Sequence, residues 1–134
     1  MREVKITKGD GKLAQRVEIG PHRLTADEPT DNGGEDLGPN PFELLASALG
    51  ACTALTLRLY ADRKAWPLEN ADVRVLISKE EETNIFIRKI RLMGVLDESQ
   101  RARLLEIANH CPVHKLLTGK IRIDTSLFDE KGAL

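Results

Sequence analysis

The longest apolar segment of the chain lies between Glu43 and Arg58, where fourteen consecutive residues carry no charge. Asn40 can cap the free N–H groups at the start of a helix, and Glu43 completes an Asn-x-x-Glu capping box with a proline at the first helical position. Charged residues and a Trp-Pro pair end the pattern near Lys64. The pattern predicts a central helix over residues 40–64. Its apolar residues lie on all sides, which indicates that protein covers every face of the helix.

The segment before this helix alternates between polar and apolar residues on both sides of a turn at Gly9–Gly11, and again over His22–Ala26. A period of two is typical of strands, so residues 1–26 are predicted to form an antiparallel three-stranded meander. Residues 27–39 are broken by glycine and proline and carry five acidic residues. Such a segment would repel a phosphate and lacks the Gly-Lys-Ser/Thr ending of a phosphate-binding loop, so a flexible surface loop is predicted.

After the central helix, alternation over residues 71–79 and 85–95 predicts two strands joined by an acidic turn. Asp97 and Gln100 have the spacing of a second capping box. The apolar positions that follow recur at helical spacing, which predicts an amphipathic helix over residues 101–110.

The last part of the chain contains a short helix and a strand by the same criteria. Pro112 can begin the helix, with Cys111 at its N-cap and Gly119 just past its end. A final strand is predicted at Ile121–Leu127. The order βββ-α-ββ-αα-β is an α+β fold, and residues 1–134 show no linker or repeat that would divide them. The parts of this single domain are the meander at 1–26, the loop at 27–39, the central helix at 40–64 and the ββ-αα-β segment at 71–127.

Composition limits the possible partners. The formal net charge is −1, so the chain has no basic excess with which to hold nucleic acid or an anionic membrane. The fourteen uncharged residues are fewer than the ~18 apolar residues of a membrane span. A 134-residue domain is also too small to surround a long apolar helix, which predicts a homodimer. The N-terminus has no apolar core of a signal peptide, so a cytoplasmic protein with free or redox-active cysteines is expected.

The candidate chemistry centres on the two cysteines. Cys111 is predicted at a helix N-terminus beside His110, His114 and Lys115, a setting that favours a thiolate. Cys52 lies in the middle of the central helix, so a low thiol pKa there would need a cation from elsewhere in the fold. Each cysteine can equally be a small buried residue. The Cys-x-x-His pair with His110 also resembles half of a zinc site, but a fourth ligand is missing, and no metal is expected.

Glu43 is the carboxylate that precedes Cys52 by nine residues. On a straight helix this spacing puts the two side chains on opposite faces, about 13 Å apart along the axis. Helix capping is therefore the preferred role for Glu43, rather than a role as a base or orienting group for the thiol.

Two motifs identify a resemblance to a known family. The segment GPNPFELLASALGACTALTLRLYADRKAWPLE, followed about sixty residues later by IANHCPVHKLL, resembles the OsmC/Ohr family of osmotically inducible and organic hydroperoxide resistance proteins. The resemblance implies an intertwined homodimer in which two curved sheets enclose the central helices, with active sites at the subunit interface. It also implies that Cys52 reduces an organic hydroperoxide and becomes a sulfenic acid, and that Cys111 then closes a disulfide that an external dithiol reduces. No metal or organic cofactor is implied.

The sequence departs from the family pattern at two places. In the family a Glu directly follows the Asn-Pro pair, whereas here Phe42 occupies that position and Glu43 comes next. The family also has an Arg in the first β-turn, where this chain reads Lys8-Gly-Asp-Gly. The cations that could supply the missing charge are Lys8, Arg16, Arg23, His110 and His114.

The alternative is a non-catalytic dimeric module that binds a small apolar ligand on the same fold, with the thiols as passive packing. A redox pair needs its two cysteines close together and a lowered thiol pKa, whereas passive thiols need neither.

Overall fold

The structure is a computed structural model that describes residues 1–128. It contains five strands and three α-helices in the order βββ-α-ββ-αα. The elements are β1 (Lys5–Lys8), β2 (Gln15–Ile19), β3 (His22–Ala26), α1 (Pro41–Lys64), β4 (Leu68–Glu80), β5 (Thr83–Gly94), α2 (Glu98–Ala108) and α3 (Pro112–Thr118), with a 3-10 turn at Thr30–Asn32. The predicted α+β class is confirmed.

The strands form two separate antiparallel sheets. β1, β2 and β3 pair in chain order, while β4 and β5 form a long two-stranded hairpin. The hairpin packs on α1, and α2 and α3 also contact α1. Helix and hairpin face each other at Gly50, where a Cβ would lie in ordinary van der Waals contact, 3.4 Å from a methyl group of Val75. The central helix thus has the hairpin and two later helices as its neighbours in the same chain.

The start of α1 has the capping box predicted from the sequence. The Asn40 side chain accepts a hydrogen bond from the Glu43 backbone at 2.8 Å, and Glu43 accepts one from the Asn40 backbone at 2.8 Å. The chain itself buries only one stripe of α1, formed by Leu49, Thr53, Leu57 and Ala61. These residues lie four apart, so they share one face of the helix. Residues 1–128 therefore do not provide the full enclosure expected from the apolar pattern, and leucines such as Leu55 and Leu59 are exposed.

The core lies where α1, α2 and the base of the hairpin meet. Leu57 and Ala61 of α1 pack with Leu68 at the start of β4 and with Leu104 and Ala108 of α2. Leu57 and Leu104 are fully buried. Burying a leucine side chain contributes about 1.5–3 kcal/mol, so these contacts fix α2 on α1 and set the position of the helix that follows.

The loop between β3 and α1 lies at the surface and contains one buried carboxylate. Asp27 is only 4% exposed, and its carboxylate accepts backbone hydrogen bonds from Glu28, Glu35 and Leu37 at 2.8, 3.2 and 3.1 Å. Burial raises the pKa of Asp27, but the three backbone N–H groups outweigh it and lower the pKa below its ordinary value. Asp27 therefore organises the backbone of this loop.

The prediction of a final strand at Ile121–Leu127 is wrong for the chain as described. This segment has no regular secondary structure, and within residues 1–128 no strand pairs with it. Its apolar side chains are exposed, including Ile123 at 82% and Leu127. The alternation of apolar and polar residues is present in the sequence, but a strand also needs a neighbouring strand for its backbone hydrogen bonds.

Contrary to the prediction from the number of uncharged residues, α1 is long enough to span a membrane. α1 contains an 18-residue window with a mean hydropathy of 1.4, so by length and composition it could cross a membrane. The same test is passed by core helices of soluble proteins. Length alone therefore does not decide between the two.

Candidate active site

The two cysteines come from helices that pack on each other. Cys52 is half-buried in the middle of α1, and Cys111 is fully buried at the N-cap of α3. Both are free thiols. The Thr53 hydroxyl, next to Cys52 in the chain, lies 3.8 Å from the Cys111 sulfur. The Cys52 side chain is also one of the groups that lower the pKa of Cys111. The fold thus brings together two thiols that are 59 residues apart in the sequence, the difference between 111 and 52.

The surroundings of Cys111 favour its thiolate. Burial raises the pKa of Cys111, but four neighbours outweigh this effect and lower the pKa below its ordinary value. These neighbours are the backbone N–H of His114, the side chains of Thr53 and Cys52, and the positive charge of Arg88. The N–H of His114 donates to the Cys111 sulfur at 3.4 Å, which is the N-cap geometry predicted from the sequence. Cys111 thus lies at the helix N-terminus as predicted, but the positive charge that lowers its pKa is that of Arg88 and not that of His110, His114 or Lys115.

Arg88 is the cation at this site. It lies on β5, on the strand face that also carries Phe86 and Ile90. Its guanidinium donates to the Thr53 hydroxyl at 3.0 Å, to the Asn109 side-chain oxygen at 2.9 Å and to Nδ1 of His114 at 3.1 Å. One side chain therefore joins α1, the end of α2 and α3 around the thiols.

His114 is the one predicted cation candidate that contacts this cluster. Burial lowers the pKa of His114, and the charges of Arg88 and His110 lower it further. The imidazole is consequently neutral near pH 7, because its ordinary pKa of 6.5 is already below that value. His114 acts here as a hydrogen-bond partner of Arg88, not as the charge that replaces the missing family Arg.

The other predicted candidates lie elsewhere. Lys8, Arg16 and Arg23 are exposed on the β1–β3 sheet, and within residues 1–128 none of them bonds to either cysteine. His110 is exposed and reaches the site only through its charge on His114. Glu43 caps α1 and lines a second cavity of about 370 Å³, together with Gly50 of α1 and Val75 of β4. The preference for helix capping as its role agrees with this position.

The sequence analysis did not identify Arg88 as a site residue, because the pattern around it predicts only a strand. Phe86, Arg88, Ile90 and Leu92 share the partly buried face of β5, whereas the residues between them are exposed. A charged residue within an apolar row of period two is a detectable signal, since a buried charge needs specific partners. The partners themselves, Thr53 and Asn109 among them, follow from the packing of the helices and not from the sequence pattern.

An open cleft of about 930 Å³ leads to this cluster. Its polar inner residues include Arg88, Asn109 and His114. Its walls are mainly apolar, and they include Phe42, Leu45 and Leu49 of α1 and Ile77, Phe86 and Ile90 of the hairpin. The cleft can accept an apolar molecule with one polar end, and it stops at the residues that surround the thiols without reaching either sulfur.

The possible zinc half-site has no further ligands in the part of the chain that the structure describes. Within residues 1–128, no group of three or more His, Cys, Asp or Glu side chains is arranged to hold a metal ion. The chemistry that the arrangement supports is that of two thiols, a hydroxyl, a neutral imidazole and a guanidinium.

Comparisons with known proteins give the same fold. The structure is similar to an OsmC-like protein from Mycoplasma pneumoniae, with a TM-score of 0.76 and 17% identity over 89% of this chain and 88% of that chain. An organic hydroperoxide resistance protein OsmC from Legionella pneumophila matches with a TM-score of 0.63 and 23% identity over 89% and 90% of the two chains. The organic hydroperoxide resistance protein OhrB of Bacillus subtilis matches at 0.59 and 20%, over 89% and 91%.

Sequence comparison identifies the family directly. A search of curated proteins gives no match. The family model described as OsmC-like protein matches residues 33–126, which include both cysteines, Arg88 and all three helices. This match spans well over half of the 134 residues, and the chain therefore belongs to the OsmC-like protein family.

Proposed function

We propose that this protein is a thiol-dependent peroxidase that reduces organic hydroperoxides to alcohols. The observation that carries the proposal is the contact of Cys111 with Thr53, the residue next to Cys52, together with Arg88 and the His114 backbone N–H, which favour a thiolate at Cys111. Passive buried thiols need no such neighbours, whereas thiol chemistry does, because the thiolate is the nucleophile. Two structural neighbours are named organic hydroperoxide resistance proteins, which supports the same reaction class.

The reaction begins at Cys52. Its thiolate attacks the distal peroxide oxygen, the O–O bond breaks, and the leaving alkoxide takes a proton to become an alcohol. Cys52 is then a sulfenic acid. Its partial exposure supports this assignment, because a peroxide must reach the first thiol.

Cys111 closes the cycle. Its thiolate attacks the Cys52 sulfur, a disulfide forms, and the displaced hydroxide takes a proton to become water. The complete burial of Cys111 suits a thiol that reacts only with its neighbour. An external dithiol then reduces the disulfide, and no metal or organic cofactor takes part.

The cleft suits the alkyl part of such a substrate. Its walls offer leucine, isoleucine and phenylalanine side chains to a hydrocarbon group, while Arg88 and His114 offer donors to the polar end. Apolar contacts of this kind bind by removing surface from water, so they favour organic hydroperoxides over hydrogen peroxide.

We also propose that the active form is a homodimer. The exposed face of α1, with Leu55 and Leu59, and the exposed apolar residues of the segment after α3 lack cover in the single chain. Contiguous apolar surface of this kind marks an interface in a soluble protein. A second copy would cover it, and would supply the enclosure that the sequence pattern of α1 calls for.

OsmC/Ohr proteins are soluble proteins, which favours an internal role for α1 over a membrane span. We place this protein in the cytoplasm. Two free thiols on helices that contact each other are compatible with a reducing compartment, where an oxidised pair can be returned to the dithiol state.

The second candidate is a non-catalytic dimeric module that binds a small apolar ligand. The observation that favours it is the cleft itself, which is mainly apolar and whose lining includes neither cysteine. In that case the polar cluster would orient the ligand and the thiols would only pack.

One experiment separates the two. The reduced protein is treated with one equivalent of an organic hydroperoxide and analysed by intact mass and free-thiol count, beside Cys52→Ser and Cys111→Ser. The peroxidase loses both thiols to an internal disulfide, while Cys111→Ser retains an oxidised Cys52. If both thiols survive a large excess of several hydroperoxides, the peroxidase proposal fails and the binding module remains.

A further inference from the structure

Arg88 differs in its partners from the five arginines that form ion pairs among the described residues. The arginines that form ion pairs with carboxylates within residues 1–128 are Arg58, Arg74, Arg91, Arg103 and Arg122. Arg88 is partly buried, yet in the described part of the chain its three side-chain hydrogen bonds all go to neutral groups. A partly buried positive charge surrounded by neutral acceptors stabilises any anion that forms nearby. The Cys111 thiol is a group on which this charge acts.

Thr53 connects Arg88 to the sulfur of Cys111. Its hydroxyl donates to the Leu49 carbonyl at 2.7 Å, accepts from Arg88 at 3.0 Å and lies 3.8 Å from Cys111 Sγ. A hydroxyl has one proton and two lone pairs. While Cys111 is a thiol, its S–H can donate to the remaining lone pair. When Cys111 loses its proton, the Thr53 hydroxyl can turn and donate to the thiolate, with Arg88 still polarising the oxygen.

We propose that Arg88 is a positioning residue that stabilises the Cys111 thiolate through Thr53 and thereby sets the rate of disulfide closure. This inference rests on the proposed peroxidase function and names the cation of its second step. Cys111 loses its proton to solvent, and its thiolate forms the S–S bond as the S–O bond of the Cys52 sulfenic acid breaks. The departing hydroxide takes up a proton and leaves as water. Arg88 remains protonated throughout, because guanidinium does not titrate in proteins.

The location of the cation matters for what it can do. Arg88 lies on β5, which pairs with the strand β4 that packs on α1, and its guanidinium bonds to Thr53 and His114 at the same time. A charge from the β1–β3 sheet would depend on where that sheet lies relative to the thiols. Arg88 therefore supplies positive charge to the site from within the same packed unit as Cys111.

The test separates charge from hydrogen bonding. Arg88→Gln keeps a hydrogen-bond donor but removes the positive charge. Arg88→Lys keeps the positive charge but loses the planar guanidinium that bonds to several acceptors at once. Thr53→Val removes the hydroxyl with little change of shape. Arg91→Gln is the matched control, because Arg91 lies on the exposed face of the same strand and pairs with Asp72. Each variant is made in a Cys52→Ser background, so that Cys111 is the one thiol left to titrate.

The first readout is the ultraviolet absorbance of the thiolate as a function of pH, which does not require a reagent to reach the buried sulfur. Arg88→Gln and Thr53→Val are expected to shift the titration of Cys111 upward by about one pH unit, leaving about tenfold less thiolate at a pH below the midpoint. Arg88→Lys retains most of the wild-type midpoint, and Arg91→Gln leaves it unchanged.

The second readout uses the same variants with Cys52 restored. After one equivalent of hydroperoxide, the lifetime of the Cys52 sulfenic acid is followed by trapping with a carbon nucleophile. Disulfide closure in Arg88→Gln is expected to slow about three- to fourfold, because the tenfold loss of thiolate is partly offset by the higher nucleophilicity of a thiol with a higher pKa. Circular dichroism before each measurement confirms that the variant is folded.

The outcomes are distinct. An upward shift in Arg88→Gln and Thr53→Val but not in Arg91→Gln supports the inference. An unchanged midpoint of the Cys111 titration in folded Arg88→Gln overturns the inference. Arg88 would then serve only to connect the helices through its hydrogen bonds. If the wild type does not consume hydroperoxide, the proposed function fails, while the titration still decides whether Arg88 governs the thiol.

Discussion

Ile123 offers a test of the proposed dimer. It is 82% exposed in the single chain, although it continues an apolar row with Ile121 and Leu127 that sequence analysis reads as a strand. In a monomer, Ile123→Ala is a surface substitution that changes the free energy of unfolding by less than about 0.5 kcal/mol. In a homodimer that covers this segment, the same substitution removes buried carbon atoms from both subunits.

The size of the effect follows from the side chain. Isoleucine loses three carbon atoms on conversion to alanine, and each buried methylene contributes about 0.8 kcal/mol, giving about 2.4 kcal/mol per subunit. Both copies change, so the dimer loses about 5 kcal/mol. At about 1.4 kcal/mol per factor of ten, the dissociation constant rises by about three orders of magnitude.

Sedimentation velocity over a range of protein concentrations measures this change. Wild type is expected to sediment as a dimer, and Ile123→Ala to dissociate at concentrations where the wild type does not. Arg122→Ala is the matched control, because Arg122 is the neighbouring residue and its ion pair with Asp124 is exposed on both sides, so its loss changes little. A wild type that is monomeric throughout, or an Ile123→Ala dimer as strong as wild type, would refute the reasoning.

Four further predictions concern stability and are measured by urea unfolding at one protein concentration. Leu104→Ala, at a fully buried position, should lower the free energy of unfolding by about 2–5 kcal/mol, and a loss below 1 kcal/mol would mean that this core is not formed as described. Asn40→Ala should cost about 0.5–2 kcal/mol by removing the cap of α1, with Asn40→Asp as the variant that keeps it. The lowered pKa of His114 means that the unfolded chain takes up a proton near pH 6.5 that the folded chain does not, so stability should fall as pH decreases through that value. His114→Gln should remove this part of the pH dependence, and an unaltered slope would contradict the assignment. The lowered pKa of Asp27 predicts a further loss of stability as pH falls below about 4, which Asp27→Asn should reduce.

Local signals in the sequence predicted most of the fold. The capping boxes at Asn40 and Asp97 are both present, and Cys111 and Gly119 flank α3 as expected. These features depend on contacts within three or four residues, so they are visible in a linear pattern. The strands were found for the same reason, although β4 begins at Leu68, earlier than the alternation indicates.

The remaining features depend on contacts between distant segments. Arg88 joins residues that lie 35, 21 and 26 positions away, and no local pattern specifies which acceptors it will meet. Asp27 gains its role from backbone groups up to ten positions along the loop. Composition shows that Asp27 is acidic but does not show which backbone groups it will meet. The segment at Ile121–Leu127 shows the opposite case, since its pattern is that of a strand but no neighbouring strand in the described chain completes it.

The hydrogen bond between Arg88 and His114 also fixes the tautomer of the imidazole. A guanidinium has no acceptor, so Nδ1 of His114 must receive the bond, and the proton of the neutral ring is therefore on Nε2. Neither nitrogen is then a free base at the inner end of the cleft. A molecule that enters finds donors on both Arg88 and His114, so the site discriminates by the acceptor oxygens of what it binds and not by protons it could remove.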